Sequence, residues 1–147
     1  MVEQEVLNTF RGKHFEIINW YFYRNDEENE ITEIKNIFNI PEKYKIIGRC
    51  TLLGDIVVLY KNKIGVISHD EPEEGPLIMV KDIIEFGKFV RLIEEIPDFE
   101  KEKEIINLKK IRKKLKKLKK IAPKNLRDDF ENSIYDVEDI IEDLEDE

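Results

Sequence analysis

Two adjacent runs of opposite charge near the C-terminal end constrain the fold more than any other feature of the sequence. Residues 99–122 hold 11 basic and 3 acidic side chains, a net charge of +8, whereas residues 123–147 hold 2 basic and 11 acidic ones, a net charge of −9. Most of the positive charge lies in "KKIRKKLKKLKK", residues 109–120. Because opposite charges attract and only a short connection separates the two runs, we expect them to pair with each other.

Apolar residues recur in both runs at the three- and four-residue spacing of a helical seam. In an antiparallel pair, the residue numbers of two facing positions always add up to the same value. One choice of this value aligns five apolar pairs. These pairs are Leu108 with Leu144, Ile111 with Ile141, Leu115 with Val137, Leu118 with Ile134, and Ala122 with Phe130. The same register brings Arg112 near Glu138 and Lys119 near Glu131. The sequence therefore predicts an antiparallel helical hairpin.

The residues between the two runs predict where each helix of the hairpin ends. In "APKN", Pro123 discourages continuation of the first helix, and Asn125 is a good N-cap for the second. We therefore expect a basic helix over residues 99–122 and an acidic helix over residues 125–146. The pairing is expected within one chain or between two copies, which makes the protein a monomer or a homodimer through the hairpin.

Six lysines of the basic helix point away from the predicted seam and form what we call the lysine ridge. The lysine ridge consists of Lys109, Lys110, Lys113, Lys116, Lys117 and Lys120. Such a ridge attracts phosphates, so nucleic acid is one candidate partner. The absence of interleaved aromatic residues and the near absence of arginine favour the alternative, a solvated lysine face. Binding to a membrane surface is not expected, because the hairpin partner occupies the apolar stripe.

Residues 1–98 have the composition of a separate α+β domain with a small antiparallel sheet and packed helices. Val6, Phe10, Phe15, Ile18 and Phe22 follow helical spacing, which is interrupted by Gly12. Ile31, Ile34, Ile37 and Phe38 are predicted to share one face of a second helix that Pro41 ends. The β-branched runs around "KNK" predict a hairpin of strands, "LIMV" a further strand, and "KDIIEFGKFVRLIEEI" a closing helix.

The whole-chain composition limits the compartment and the class of protein. Hydrophobic residues make up 41% of the 147 residues, the net charge is −8, and Cys50 is the single cysteine. One cysteine forms neither an intramolecular disulfide nor a cysteine-based zinc site. No apolar run resembles a signal peptide or a membrane span. These features predict a cytoplasmic protein without a membrane association.

Several motifs in residues 30–92 resemble the SUKH superfamily of fungal cell-wall-assembly regulators and bacterial toxin-immunity proteins. The motifs are an opening helix that runs into Pro41 and Tyr44, Gly54-Asp55 before an apolar strand, His69-Asp70 after a later strand, and Phe86 with Phe89 in a closing helix. The Asn-Gly-rich stretch that the family carries after the tyrosine is missing. The resemblance implies a non-enzymatic, protein-binding domain, often one that masks a toxin. The candidate partner-binding residues are Asp55, His69 and Asp70, with an ordinary turn residue as the alternative for Asp55.

An enzymatic interpretation depends on His69 and Asp70 with Glu71, Glu73 and Glu74 nearby. Histidine beside carboxylates binds metals or acts as a general base. The ligand spacings of zinc motifs are absent, however, and an acidic loop after a strand is usually a solvated turn. The glycines form no phosphate-binding cluster, so the sequence does not support nucleotide binding. Taken together, these observations lead us to expect no catalytic residue, metal or cofactor. The aromatic run Trp20–Tyr23 is interpreted as core and rim, with an exposed platform as the alternative.

Three hypotheses follow for function. The first is a protein-binding module that masks a partner protein, such as an immunity or regulatory factor. The second is a nucleic-acid-associated protein that uses the lysine ridge. The third is a structural protein that forms oligomers through its C-terminal tails. The first is preferred on the sequence.

Overall fold

The computed structural model describes residues 2–147, which form an α+β protein with five α-helices and a six-stranded sheet. The elements in chain order are α1 (Val2–Phe10), β1 (His14–Phe15), β2 (Trp20–Phe22), α2 (Glu28–Phe38), β3 (Lys45–Cys50), β4 (Ile56–Tyr60), β5 (Lys63–Ile67), β6 (Pro76–Val80), α3 (Ile83–Glu94), α4 (Ile105–Ile121) and α5 (Arg127–Glu145). The chain separates into two compact units, Met1–Gly87 and Lys88–Glu147, with the division inside α3. We call them the sheet unit and the hairpin unit.

The sheet is an antiparallel meander in which each strand pairs with the next one along the chain. β4 and β5 pair without interruption from Ile56 opposite Ile67 to Tyr60 opposite Lys63. The turn between them is the predicted "KNK" hairpin, and Lys61 has a φ of +56°, as the first position of a tight two-residue turn requires. The predicted strand "LIMV" is confirmed as β6.

One face of the sheet packs against α2. Its buried cluster consists of Tyr23, Ile40, Ile46, Ile56, Val58 and Ile67. Ile31, Ile34 and Phe38 of α2 pack on this cluster, as their spacing predicts. Ile37 is 61% exposed, so its predicted place on the same face is wrong. Helical geometry explains this, because Ile37 lies about 60° around the helix from Ile34, on the side away from Ile31 and Phe38.

The opposite face of the sheet carries an aromatic cluster. Phe10 of α1 lies 5.2 Å from Phe22 and 5.7 Å from Phe86, measured between ring centres. Trp20 lies 5.8 Å from Phe86 and is 2% exposed. Aromatic pairs at such distances add to the stability that burial itself provides. Trp20, Phe22 and Tyr23 are therefore core residues and Tyr21 is half-buried, which confirms the interpretation of the run as core and rim.

The predicted helical spacing of residues 6–22 is wrong beyond Phe10. α1 ends there, and the chain turns through Gly12, whose φ is +75°, into the short strands β1 and β2. A positive φ is unfavourable for residues with a side chain, so Gly12 ends the helix rather than interrupting it. The aromatic and β-branched residues that follow also favour strands.

In the hairpin unit, α4 and α5 pack against each other within one chain, which confirms the predicted antiparallel hairpin. All five predicted seam residues of the basic run are buried, as are Phe130, Ile134, Val137 and Ile141 of α5, and Leu144 is half-buried. Phe130 also contacts Phe89, with ring centres 5.6 Å apart. The apolar seam is thus the core of this unit.

Two ion pairs show how closely the charged residues beside the seam follow the predicted register. Lys119 pairs with Glu131, as predicted. Glu138 lies 4.0 Å from Lys116, and its predicted proximity to Arg112 stays a prediction. The residue numbers of one observed pair add up to slightly less than those of the apolar pairs, and the residue numbers of the other add up to slightly more. The observed ion pairs are therefore consistent with the predicted register.

The first residues of both helices differ from the sequence expectation. Residues Phe99–Lys101 form a separate 3₁₀ turn, and α4 begins only at Ile105, after the extended backbone of Glu104. The prediction of Asn125 as N-cap of the second helix is wrong. Residues Lys124–Leu126 form another 3₁₀ turn, α5 begins at Arg127, and its N-cap position is Leu126, without a side-chain hydrogen bond. Arg127 Nε instead donates to the carbonyl oxygen of Ala122 at 3.2 Å, which closes the connection between the helices.

No helix within residues 2–147 combines the length and the apolar character needed to cross a membrane.

Candidate functional site

The pairing of β4 with β5 brings Asp55 and His69 together, although they are 14 residues apart in sequence. Ile56 and Ile67 face each other at one end of the sheet, and Asp55 and His69 lie just beyond that end. Asp55 Oδ1 accepts a hydrogen bond from the backbone N–H of His69 at 3.2 Å and lies 2.6 Å from His69 Nδ1. This Asp55–His69 contact joins the entry to β4 to the exit from β5.

A second carboxylate lies on the other side of the same imidazole ring. His69 Nε2 is 3.2 Å from Asp70 Oδ1. Only the protonated imidazolium donates from both nitrogens, so the geometry favours the charged form. The hydrogen bond to Asp55 raises the pKa of His69, partial burial opposes this, and the negative charges of Asp70 and Asp55 add to the increase. All three predicted partner-binding residues therefore form one contiguous group.

The turn that leads into Asp55 exposes two leucines. β3 ends at Cys50, and residues 51–54 turn back into β4 through hydrogen bonds from Gly54 N to Cys50 O (2.9 Å) and from Cys50 N to Asp55 O (2.8 Å). Leu52 and Leu53 at the tip of this turn are 74% and 70% exposed. Gly54 has a φ of +77°, which L-residues rarely adopt, so the turn has its shape because a glycine stands there.

The loop that follows His69 is crowded with exposed carboxylates. Asp70 is 80% exposed on its side chain, and Glu71, Glu73 and Glu74 are exposed as well. A hydrogen bond with Glu74, together with the negative charge of that carboxylate, raises the pKa of Glu71. The negative charge of Glu74 repels that of Glu71, and a neighbouring cation relieves such repulsion.

His14, which the sequence leaves isolated, lies beside the same turn. Its Nε2 atom is 3.3 Å from the hydroxyl oxygen of Thr51, the first residue after β3. The β3–β4 turn therefore has a histidine on each side, His14 next to Thr51 and His69 next to Asp55. We call this end of the sheet, with residues 51–55 and 68–74, the turn surface.

The turn surface presents both apolar and ionisable side chains to solvent. It combines two exposed leucines with an imidazole held between two carboxylates and an acidic loop. Across residues 2–147, no cluster of three or more His, Cys, Asp or Glu side chains has the geometry to hold a metal ion. The expectation that the protein is not an enzyme stays a prediction.

The lysine ridge lies on α4 in the hairpin unit, and all six of its lysines are exposed. Lys116 reaches Glu138 of α5 at 4.0 Å. The other five, Lys109, Lys110, Lys113, Lys117 and Lys120, form no ion pair with any residue in the described part of the chain. The hairpin therefore leaves most of the ridge without a counter-charge.

Sequence reasoning misses Leu52 and Leu53 as surface residues. In "YKIIGRCTLLGD" they continue an apolar run that predicts a strand. The signal that could have identified them is Gly54-Asp55 immediately afterwards, because Gly and Asp favour turns. With a turn placed at residues 51–54, the two leucines would be expected at its exposed tip.

Comparisons with known proteins identify no relative. No protein-family model matches the chain, and no curated protein or solved structure matches it significantly. The resemblance to the SUKH superfamily therefore stays a prediction from the sequence motifs.

Proposed function

We propose that this protein is a non-enzymatic binding module that masks a partner protein, as an immunity or regulatory factor does, through the turn surface of the sheet unit. The observation that supports this most is the exposure of Leu52 and Leu53 beside the Asp55–His69 contact. Adjacent exposed apolar side chains rimmed by polar groups are typical of protein interaction sites.

The charges around the leucines favour a partner with a basic surface. Asp70, Glu71, Glu73 and Glu74 are exposed in one loop, and the pKa of Glu71 is raised by its neighbour. Lysine or arginine side chains of a partner would relieve that repulsion and donate charge-assisted hydrogen bonds to the carboxylates. The partner we propose therefore places an apolar centre on the leucines and basic residues on the acidic loop.

The Asp55–His69 contact makes these two elements one surface. The leucine turn precedes β4 and the acidic loop follows β5, and Asp55 bonds to both the backbone and the ring of His69. A surface held in its bound shape loses less conformational entropy when it binds. In this proposal Asp55 and His69 position the turn and the loop, and Leu52, Leu53 and Asp70 contact the partner.

The test is a comparison of proteins captured from the source cells by the immobilised full chain and by two variants. Leu52→Ser with Leu53→Ser removes the apolar centre, and Ile37→Ser removes an apolar side chain of α2 that is 61% exposed. We expect a basic protein that binds the wild type and the Ile37 variant, with affinity at least about 100-fold weaker for the double leucine variant, as for two interface hot spots. Equal capture by all three forms would contradict the proposal.

A further inference from the structure

The lysine ridge in the hairpin unit is a charged surface that the proposed function does not use. Five of its six lysines have no ion-pair partner in residues 2–147, and all six are exposed. Lys113 and Lys117 lie on the side of α4 opposite the buried Leu108 and Leu115, as helical periodicity requires. The ridge is thus directed at solvent over about 16 Å from Lys109 to Lys120, at about 1.5 Å per residue.

The arrangement has an unfavourable electrostatic energy in the free protein. Lys109 and Lys113, Lys113 and Lys117, and Lys117 and Lys120 are spaced three or four residues apart on one helix. Like charges at this spacing oppose helix formation. A bound polyanion removes this repulsion. An anionic ligand should therefore stabilise the ridge more than it would stabilise the same lysines scattered over the surface.

The carboxylates of α5 pair with only one lysine of the ridge, Lys116. Glu131 and Glu138 pair with Lys119 and Lys116 beside the seam. Asp136, Asp139 and Asp143 are exposed, on the side of α5 away from its buried residues. The two helices therefore turn opposite charges toward solvent, and the lysine face stays accessible to a phosphate backbone.

We propose that the lysine ridge binds the phosphate backbone of a nucleic acid duplex without reading its sequence. A duplex carries one phosphate charge per about 1.7 Å of its axis, so a ridge of about 16 Å lies along about nine of them. α4 contains no aromatic residue on which single-stranded bases stack, which favours a duplex over a single strand. Its one arginine, Arg112, is half-buried beside the seam, so bidentate contacts to base edges are not available.

The proposal predicts a steep dependence of affinity on salt. With three to five lysines on phosphates, the binding constant should fall about 40- to 500-fold between ~50 and ~200 mM salt. The two sites are independent in this account, because the turn surface belongs to the sheet unit and the ridge to the hairpin unit. Failure of duplex binding would leave the proposed protein-binding function untouched, and the reverse also holds.

The experiment is a fluorescence-anisotropy titration of the full chain into a labelled duplex of about 16 base pairs at ~50 and ~200 mM salt, with light-scattering mass measured in parallel. The ridge variant is Lys113→Glu with Lys117→Glu. Two controls accompany it: Lys113→Arg with Lys117→Arg keeps the charge of the ridge, and Lys43→Glu with Lys63→Glu makes the same charge change at exposed positions of the sheet unit. Glutamate is a good helix former, so the ridge variant should keep the helical circular dichroism of the wild type.

We expect the wild type and both controls to bind at low salt, and the ridge variant to lose at least about 10-fold in affinity and to show a slope against log salt that is smaller by about 2. The proposal is overturned if the wild type does not bind at low salt, or if the ridge variant binds as tightly as the wild type. It is also overturned if the sheet-unit control weakens binding equally, since net charge alone would then explain the effect. The proposal is also overturned if the protein without duplex has twice the mass of one chain in the wild type but not in the ridge variant. The ridge would then bind a second copy of the chain.

Discussion

The two units of this protein differ in what holds each of them together. The hairpin unit is built on contacts between two neighbouring helices whose apolar residues repeat with one period, and its charges are sorted by helix. The sheet unit is built on pairings between strands and on aromatic contacts such as Phe10 with Phe86, which lie far apart in the chain. Local periodicity thus determines the structure of the hairpin unit, whereas long-range pairing determines that of the sheet unit. The candidate protein-binding residues all lie in the sheet unit.

The first prediction tests whether the apolar seam dominates the hairpin unit. Phe130 is fully buried and contacts Phe89. Phe130→Ala should lower the free energy of unfolding by about 3–5 kcal/mol, because it removes an aromatic side chain and leaves a cavity. Urea denaturation followed by circular dichroism measures the change.

The matched control for that prediction is Tyr135→Ala on the same helix. Tyr135 is 57% exposed, and exposed substitutions usually change stability by less than about 0.5 kcal/mol. If the two variants were equally stable, the surface charges rather than the seam would hold the hairpin together.

The second prediction tests the long-range packing of the sheet unit through its glycines. A Cβ atom added at Gly48 would lie 2.3 Å from the carbonyl oxygen of Tyr21 on the neighbouring strand. Neither backbone moves without disturbing the pairing of β2 with β3, so Gly48→Ala should destabilise the protein by about 1–3 kcal/mol or more. Thermal unfolding of the full chain would show this as a lower Tm.

Gly54→Ala is the comparison variant for Gly48. A Cβ atom there meets nothing within 4 Å, and the cost comes from the φ of +77° alone, which amounts to about 1–2 kcal/mol. A Gly48 variant that is less destabilised than the Gly54 variant would contradict the close approach of β2 to β3.

The third prediction concerns pH and has the smallest expected effect on stability. The pKa of His69 is raised in the folded state, chiefly by its hydrogen bond to Asp55. The stabilisation that this contact gives is therefore fully present below the unfolded pKa of about 6.5 and is lost as pH rises through the folded pKa. Asp55→Asn should consequently reduce the Tm more at pH ~5.5 than at pH ~8.5.

NMR titration of the ring protons gives a direct measurement of the same contact. The midpoint for His69 should lie above the ordinary histidine value in the wild type and fall in Asp55→Asn. Asp139→Asn removes an exposed carboxylate of α5 and should leave the midpoint unchanged. A midpoint that does not respond to the Asp55 substitution would show that the two side chains do not interact in solution.

The difference between the units also explains how much of the fold could be predicted from the sequence. The hairpin was predictable because Leu108, Leu115 and Val137 mark a helical period without interruption. The strands β1 and β2 were not, because Phe15, Ile18 and Phe22 fit helical spacing as well as they fit strands. Only the positive φ of Gly12 and the pairing of β2 with β3 decide between the two structures.

The candidate site could be predicted in part, for the same physical reason. His69-Asp70 and Gly54-Asp55 stand out as short polar motifs at strand ends, so the residues themselves could be selected. Their contact depends on the register of β4 with β5, which the sequence indicates only through the turn at residues 61–62. The exposure of Leu52 and Leu53 depends on where β3 ends, and an apolar run does not reveal its own end.

The central claim, that the turn surface binds a partner protein, is tested most directly by hydrogen exchange of the full chain with and without the captured basic protein. We predict that binding slows exchange in residues 51–55 and 68–74, while residues 28–38 of α2 exchange at the same rate in both states. Slower exchange confined to residues 105–145, with the turn surface unaffected, would contradict the claim and assign the protein partner to the hairpin.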